Sequence, residues 1–352
     1  MRKLIVFASA LALSGSMAFA MDEAAMDEDM MMEKAPSVAV GGSGKIGIKN
    51  VDDAAETGLQ LVRAYKVTFD STGTTDGGLM FGAGMSIRDD TGEEDMPVVK
   101  GSYVFVGGGD GSWKLQFGGN DPGIDLAGGF GVADDHFGGE DDVTMALSGA
   151  FGDTSFRLTA ADPEATGDSD NDWSVGVSHS INTISVGVGM DSEDGLAIGV
   201  GTDLSGVSTF LYWSKSENSM ATYTYDPDNS ETTTADVDLT VSQENSGLGV
   251  KASMSAGEGA SFSVGYSTWK HEQVDSRDSP TPAAASGTAT TKLIEVDFSY
   301  DLGGGAKLTA GIDKKDSESI SATYPDSPGG ADGFAVTSTD TTTLEAAISF
   351  SF

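Results

Sequence analysis

The sequence predicts an all-β chain that closes into a transmembrane, antiparallel, up-and-down barrel of about 16 strands. Three observations carry that prediction. The first is the last strand, Leu344-Glu345-Ala346-Ala347-Ile348-Ser349-Phe350-Ser351-Phe352. Leu344, Ala346, Ile348, Phe350 and Phe352 share one parity, while Glu345, Ala347, Ser349 and Ser351 share the other. Alternate residues of a strand point to opposite faces, so this strand is apolar on one side and polar or small on the other. An open strand edge is intolerable in lipid, so a closing strand must pair to its end. The second observation is an export leader. Arg2 and Lys3 precede the apolar run Leu4 to Leu13, and Ala18-Phe19-Ala20 supplies an A-x-A cleavage site. The third is a regular alternation of short turns with long acidic connections, the layout of an outer-membrane barrel.

Taken in order, residues 1–20 read as a signal peptide, and the mature chain is expected to begin at Met21. The h-region is too short to span a bilayer, and no later run reaches about 18 apolar residues. Residues 21–36 hold six acids, one lysine and five methionines. Such charge density reads as a solvated acidic, Met-rich tether. Thioethers also suit Cu(I), so a weak metal-gathering arm is the alternative.

The barrel is predicted over residues 37–352. Val38, Val40, Ile46 and Ile48 face one way, and Lys45 and Lys49 the other. The next strand, Leu59 to Asp70, sets Leu61, Tyr65, Val67 and Phe69 against Lys66 and Thr68. The compact turn Ser71 to Gly78 follows. Leu79, Phe81, Ala83, Met85 and Ile87 then alternate with Gly82, Gly84, Ser86 and Arg88. The same period continues over 97–107, 111–119, 141–151, 154–161, 172–180, 183–191, 195–204, 207–215, 247–256, 260–270, 291–301, 305–315 and 342–352. The total is even, as single-chain bacterial barrels require. Asp236 to Val241 also alternates. It is either a loop hairpin or an upward extension of the twelfth strand, so 18 strands remain open. No stretch sustains apolar spacing at helical period. Short turns fall at 107–110, 181–182, 205–206, 256–259 and 303–304. Long connections fall at 89–96, 120–140, 162–171, 216–245, 272–290 and 316–341. Both barrel termini then lie on the short-turn side.

Composition narrows the function. The chain has no cysteine, which removes thiol catalysis, disulfides and cysteine metal sites. It carries 19 bases and 55 acids. Removing the leader's two bases leaves 17 against 55, a net charge of −38. Nucleic-acid binding needs a basic footprint and is excluded as a reading. The 48 glycines, as in Val186-Gly187-Val188-Gly189, sit on the parity opposite the apolar residues. That suits a small, polar lumen with an apolar face turned to lipid.

Gly101-Ser102-Tyr103-Val104-Phe105-Val106-Gly107, followed by Trp113-Lys114-Leu115-Gln116-Phe117-Gly118, resembles the fourth and fifth strands of Rhodobacter-type general porins of alphaproteobacteria. Val67-Thr68-Phe69, Gly73-Thr74-Thr75-Asp76 and Gly78-Leu79-Met80-Phe81-Gly82-Ala83 resemble that family's second-to-third strand hairpin. Phe352 and Phe350 resemble its assembly signal, read by an outer-membrane assembly machinery. The resemblance implies a homotrimer of 16-stranded barrels in outer-membrane lipid. It also implies a constriction loop folded into the pore after the fifth strand, here residues 120–140 with Asp121, Asp125, Asp134, Asp135 and Glu140. In the family, such carboxylates face basic residues on the wall. By parity the candidate bases are Lys45, Lys66, Arg88, Lys100, Lys114 and Arg157; the alternative for some is snorkelling at strand ends. Arg63 falls on the lipid parity and is expected at the rim or beyond a bulge. Two departures stand out: the acidic arm, and a basic wall thin beside the loop acids, which favours cations.

Other chemistry is weak. His136, His179 and His271 lie in separate segments and form no evident triad or zinc cluster. Asp168, Asp170 and Asp172 have Asp-x-Asp-x-Asp spacing that could ligate Ca²⁺, but the EF-hand glycine and distal glutamate are missing. No cofactor is required. The expected function is passive diffusion of small hydrophilic solutes and ions through an outer-membrane channel, without catalysis. The alternative is a barrel-anchored structural or adhesion protein with Ca²⁺-binding acidic loops.

Overall fold

A computed structural model of the chain describes residues 36–53, 57–89, 97–134, 145–161, 173–225, 237–277, 286–323 and 333–352. The expected signal peptide and most of the acidic arm lie outside these residues. Among the described residues sixteen strands follow one another: β1 (Ser37–Asp52), β2 (Thr57–Thr74), β3 (Leu79–Asp89), β4 (Val98–Gly108), β5 (Trp113–Gly118), β6 (Met145–Phe151), β7 (Thr154–Ala160), β8 (Trp173–Ile181), β9 (Ile184–Asp191), β10 (Leu196–Leu204), β11 (Val207–Tyr225), β12 (Val237–Ser255), β13 (Ala260–Arg277), β14 (Ser286–Gly303), β15 (Ala306–Thr323) and β16 (Gly333–Ser351). Each pairs antiparallel with its neighbours, and β1 pairs with β16 to close the barrel. The last hydrogen bonds of that seam run from Gly42 N to the Phe352 carbonyl (2.9 Å) and from Phe352 N to the Gly42 carbonyl (3.0 Å). The Phe350 and Phe352 rings lie where Cβ atoms on Gly44 and Gly42 would point. The terminal aromatics thus cap the seam they close.

The wall is uneven in height. β3–β10 run 6 to 11 residues, whereas β11–β16, β1 and β2 run 16 to 19. Three predicted connections are therefore shorter than their composition suggested. Most of 216–245 is ladder, because β11 continues to Tyr225 and β12 starts at Val237. Of the stretch Asp236 to Val241, the described residues 237–241 belong to a strand extension, and the count among the described residues is 16. The spans 272–290 and 316–341 shrink in the same way, and β2 runs on into the predicted turn. The physical reason is that backbone pairing continues where no apolar row marks it.

The two faces separate cleanly. Leu59 and Leu61 are 70% and 83% exposed, and Ile46, Leu211, Val264, Ile294 and Leu344 are exposed on the same outer face. The fully buried apolar side chains lie instead within the barrel, where Ile124, Ala127 and Ala133 pack on Ala197 and Tyr212. This inside-out distribution is that of a barrel solvated by lipid. On the loop side the outer face carries pairs two residues apart along single strands: Lys215 with Glu217, Lys270 with Glu272 (3.0 Å), and Lys314 with Asp316 (3.6 Å). They mark where the taller strands leave the apolar band. Arg63 sits at this belt, on the outward face as expected, 3.1 Å from Asp89 at the end of β3.

Candidate functional site

The site is the barrel interior, and residues 119–134 shape it. They leave β5 and run along the inner faces of β7 to β13. A single 3₁₀ turn, Gly123–Ala127, packs against β7–β10. Hydroxyls on the wall hold its backbone. Gly123 N donates to Ser174 Oγ (2.6 Å) and Thr159 Oγ1 (3.1 Å), and Val132 N donates to Ser267 Oγ (3.0 Å). Ser214 Oγ donates to the Ala133 carbonyl at 2.5 Å. Ser174, Ser214 and Ser267 are buried by this contact. A buried backbone N–H without a partner costs about 1–3 kcal/mol, so these hydroxyls fix the path.

Inward glycines make room for the path. A Cβ on Gly189 would lie 2.5 Å from Ile124 Cα, and one on Gly187 would lie 2.7 Å from Ala127 Cα. One on Gly176 would lie 2.9 Å from Leu126 Cβ, and one on Gly249 would lie 3.2 Å from the Phe130 ring. The glycines read from the sequence as a small lumen row are, over β8–β13, the seat of this segment.

Of the predicted loop acids, Asp121 lies 3.8 Å from Arg157. Arg157 Nη1 also donates to the carbonyls of Asp121 (3.3 Å) and Pro122 (3.4 Å), tying the segment's start to β7. Asp125 is exposed within the barrel and Asp134 is half-buried. Asp135 and Glu140 lie outside the described residues, as do His136 and the Ca²⁺ candidates Asp168, Asp170 and Asp172.

The six predicted bases all belong to the inner face. Lys45 pairs with Glu345 across the seam. Lys66 and Arg88 oppose each other on β2 and β3. Lys114 donates to Gln116 Oε1 (2.7 Å), and its Nζ stands 5.8 Å from the centroid of the Phe105 ring. Lys100 reaches the inside by a β-bulge. Its even parity matches Val104 and Val106, which face lipid, but Gly84 pairs with Tyr103 and Ser86 already pairs with Lys100. The extra residue flips the strand, and Gly101 takes up the positive φ of 61° that this requires.

Parity also placed acids that the sequence reading left aside. Glu295, Asp297 and Asp313 share the inner face of β14 and β15, and Glu345 continues the arc on β16. Ser263 Oγ donates to Asp297 Oδ2 at 3.1 Å. The alternation of Glu295 and Asp297 with Ile294, Val296 and Phe298 was the signal that could have found them. The inner wall not covered by residues 119–134 thus carries an acidic arc on β14–β16 beside a basic arc on β1–β5. His271 also faces inward, in a network with Gln243 (2.7 Å) and the buried Asn245 (2.9 Å). His179 faces outward, 2.8 Å from Thr154 Oγ1, near two short turns. In the β4–β5 turn the Asp110 carboxylate accepts from Ser112 N (3.0 Å) and Oγ (2.7 Å). These bonds, the backbone one first, hold its pKa below the ordinary carboxylate value.

Residues 7–346 match a family model described as Gram-negative porin. No curated protein sequence matches the chain. Among solved structures the chain is similar to OmpT, an outer-membrane protein of Vibrio cholerae in trimer form, with 11% identity, 91% of this chain and 100% of that one covered, and a TM-score of 0.62. It is similar to a mutant porin of Rh. blastica, with 14% identity, 90% and 100% coverage and a TM-score of 0.55. A porin refined at 1.8 Å covers 90% of this chain and 100% of its own at 17% identity, with a TM-score of 0.53.

Proposed function

Since the chain belongs to the Gram-negative porin family, we propose that it forms a water-filled outer-membrane channel for passive diffusion of small hydrophilic solutes and ions, with a modest preference for cations. The observation that carries this reading is the seating of residues 119–134 inside a closed barrel against β7–β13. Folded there, the segment constricts the lumen and leaves the charged wall of β14–β16 and β1–β5 as the path. No covalent chemistry is needed: width sets the size limit and fixed charge biases what passes.

The cation preference rests on the net acidity of the chain, on Asp125, and on the arc of Glu295, Asp297 and Asp313. Fixed carboxylates raise the local cation concentration, and salt screens them over a Debye length of about 10 Å at 0.1 M. The finer expectations belong to the same proposal: a Rhodobacter-type homotrimer, a cleaved signal peptide, and assembly through the terminal phenylalanine. The trimeric state of the Vibrio cholerae relative is in keeping with the first of these.

The test is a planar-bilayer measurement in a KCl gradient. Ohmic single channels are expected, with a reversal potential on the cation side that shrinks as salt rises. Changing Glu295 to Gln, and Asp297 and Asp313 to Asn, should move the reversal potential toward anions. No current from the folded protein would overturn the channel, and an unmoved potential at low salt would overturn the acidic wall as its cation path.

A further inference from the structure

Outside the wall of β7–β13 that residues 119–134 cover, β4 turns two aromatic side chains inward. Tyr103 and Phe105 share the face of Gly84 and Gly82 on β3, and of Gly118 and Gln116 on β5. Both rings are half-buried, with centroids 6.3 Å apart and planes tilted by 37°. The two β3 glycines give the rings space to lie along the wall, because a Cβ on either would strike them. Tyr103 Oη donates to Asp70 Oδ1 at 2.6 Å, which fixes its ring and occupies the one carboxylate beside it on β2.

Cations surround this pair. Lys114 stands over the Phe105 ring. Among the described residues it makes no ion pair, its donor bond going to the neutral Gln116. Arg157 lies on the same inner row two strands on, through Ser148, and is held there by Asp121 and the carbonyls of Asp121 and Pro122. On the loop side of the rings Lys100 stands opposite Ser86, which pairs with Thr68, and Lys66 opposes Arg88 two positions further along β2 and β3. Five bases on this stretch of inner wall thus stand against two carboxylates, Asp70 and Asp121, in a chain whose net charge is −36. An inorganic anion would use the lysines and ignore the rings. A neutral aromatic would use the rings and ignore the lysines. The arrangement matches a ligand that carries both an aromatic ring and an anionic group.

We propose that Tyr103, Phe105 and Lys114 form a subsite for aromatic carboxylates on the pore wall. The ligand's ring packs on Phe105 and Tyr103, while its carboxylate pairs with Lys114 Nζ. This rests on the channel reading only for its transport consequence. Binding to the wall is a separate property and is measured separately.

Two measurements on the full chain test it. In lipid bilayers, the permeability of benzoate relative to acetate is compared with that of cyclohexanecarboxylate relative to acetate. These ratios separate ring chemistry from size and charge. The wild type should favour benzoate over cyclohexanecarboxylate by about two- to tenfold, the range set by aromatic pairing. Tyr103→Leu combined with Phe105→Leu should bring the two ratios together. In detergent, titration calorimetry with benzoate should show saturable binding that weakens in Lys114→Gln, in Phe105→Leu and at high salt. Equal benzoate and cyclohexanecarboxylate ratios in the wild type, or calorimetric binding that is unaffected by both Phe105→Leu and Lys114→Gln, would overturn the subsite. Absence of any KCl current would instead overturn the channel, and calorimetry would still decide the subsite.

Discussion

The seat of residues 119–134 can be removed with two methyl groups. Gly187→Ala and Gly189→Ala place Cβ atoms on the inner face of β9, directly beneath Ala127 and Ile124. At Gly189 the new atom would lie 2.5 Å from Ile124 Cα, against an ordinary contact of at least 3.4 Å, so the backbone must retreat by 3.4 − 2.5 = 0.9 Å. At Gly187 the corresponding retreat from Ala127 Cα is 3.4 − 2.7 = 0.7 Å. The obstacle is backbone, not the end of a flexible side chain. A 0.9 Å retreat along the bonds from Gly123 N would stretch 2.6 Å to 3.5 Å at Ser174 and 3.1 Å to 4.0 Å at Thr159, beyond useful hydrogen-bond length. Leaving that N–H unpaired costs about 1–3 kcal/mol. The strands have lipid on one side and the lumen on the other, so the segment moves into the lumen. Single-channel conductance should fall, and liposome swelling should show a lower size limit for sugars. Gly311→Ala is the control for the size limit, since its Cβ would meet at 2.9 Å the Asp297 carboxylate, a side chain that can swing away without moving residues 119–134. Wild-type conductance and size limit in the folded double variant would refute the reasoning that this segment sets the pore.

Two further outcomes follow from the register. Deleting Gly101 removes the bulge and turns Lys100 to the lipid face of β4; a lysine there costs at most about 2–4 kcal/mol, the midplane value, so folded outer-membrane protein should drop, and Lys100→Leu in the same deletion should restore it. Equal yields with and without Lys100→Leu would contradict the parity assignment. Deleting Phe352 removes both terminal hydrogen bonds of the β1–β16 seam, so outer-membrane yield should fall while export across the inner membrane persists, as read by fractionation and heat-modifiable gel mobility. Normal insertion of the shortened chain would remove the closing-strand argument.

Much of the barrel was legible in the chain because lipid imposes a strict rule. Every backbone group must be paired and every outward residue must be apolar, which writes a period of two into the sequence wherever a strand crosses. All sixteen strands could be found from that period, and so could the inward placement of Lys45, Lys66, Arg88, Lys114 and Arg157. The rule ends at the edge of the lipid. Beyond it β11 to β16 keep their ladders through stretches rich in Ser, Thr, Asp and Glu, so composition alone assigned those stretches to loops. Parity also fails across an inserted residue: Lys100 faces the lumen only because Gly101 adopts a positive φ, a fact held in the β3–β4 register.

The interior required the tertiary structure for a different reason. The glycines of β8–β13 were visible as a row, but a glycine specifies only the absence of a side chain, not what fills its place. That Ile124 lies on Gly189, that Ser174 and Ser267 hold the passing backbone, and that Tyr103 and Phe105 share a wall with Lys114 are contacts between residues up to 135 positions apart. The sequence by itself determined the strands and which face of each meets lipid, because local alternation encodes both. Which inner faces are covered, and which charges and rings are left to line the path, was decided by closure of the barrel, which brings distant strands around one loop.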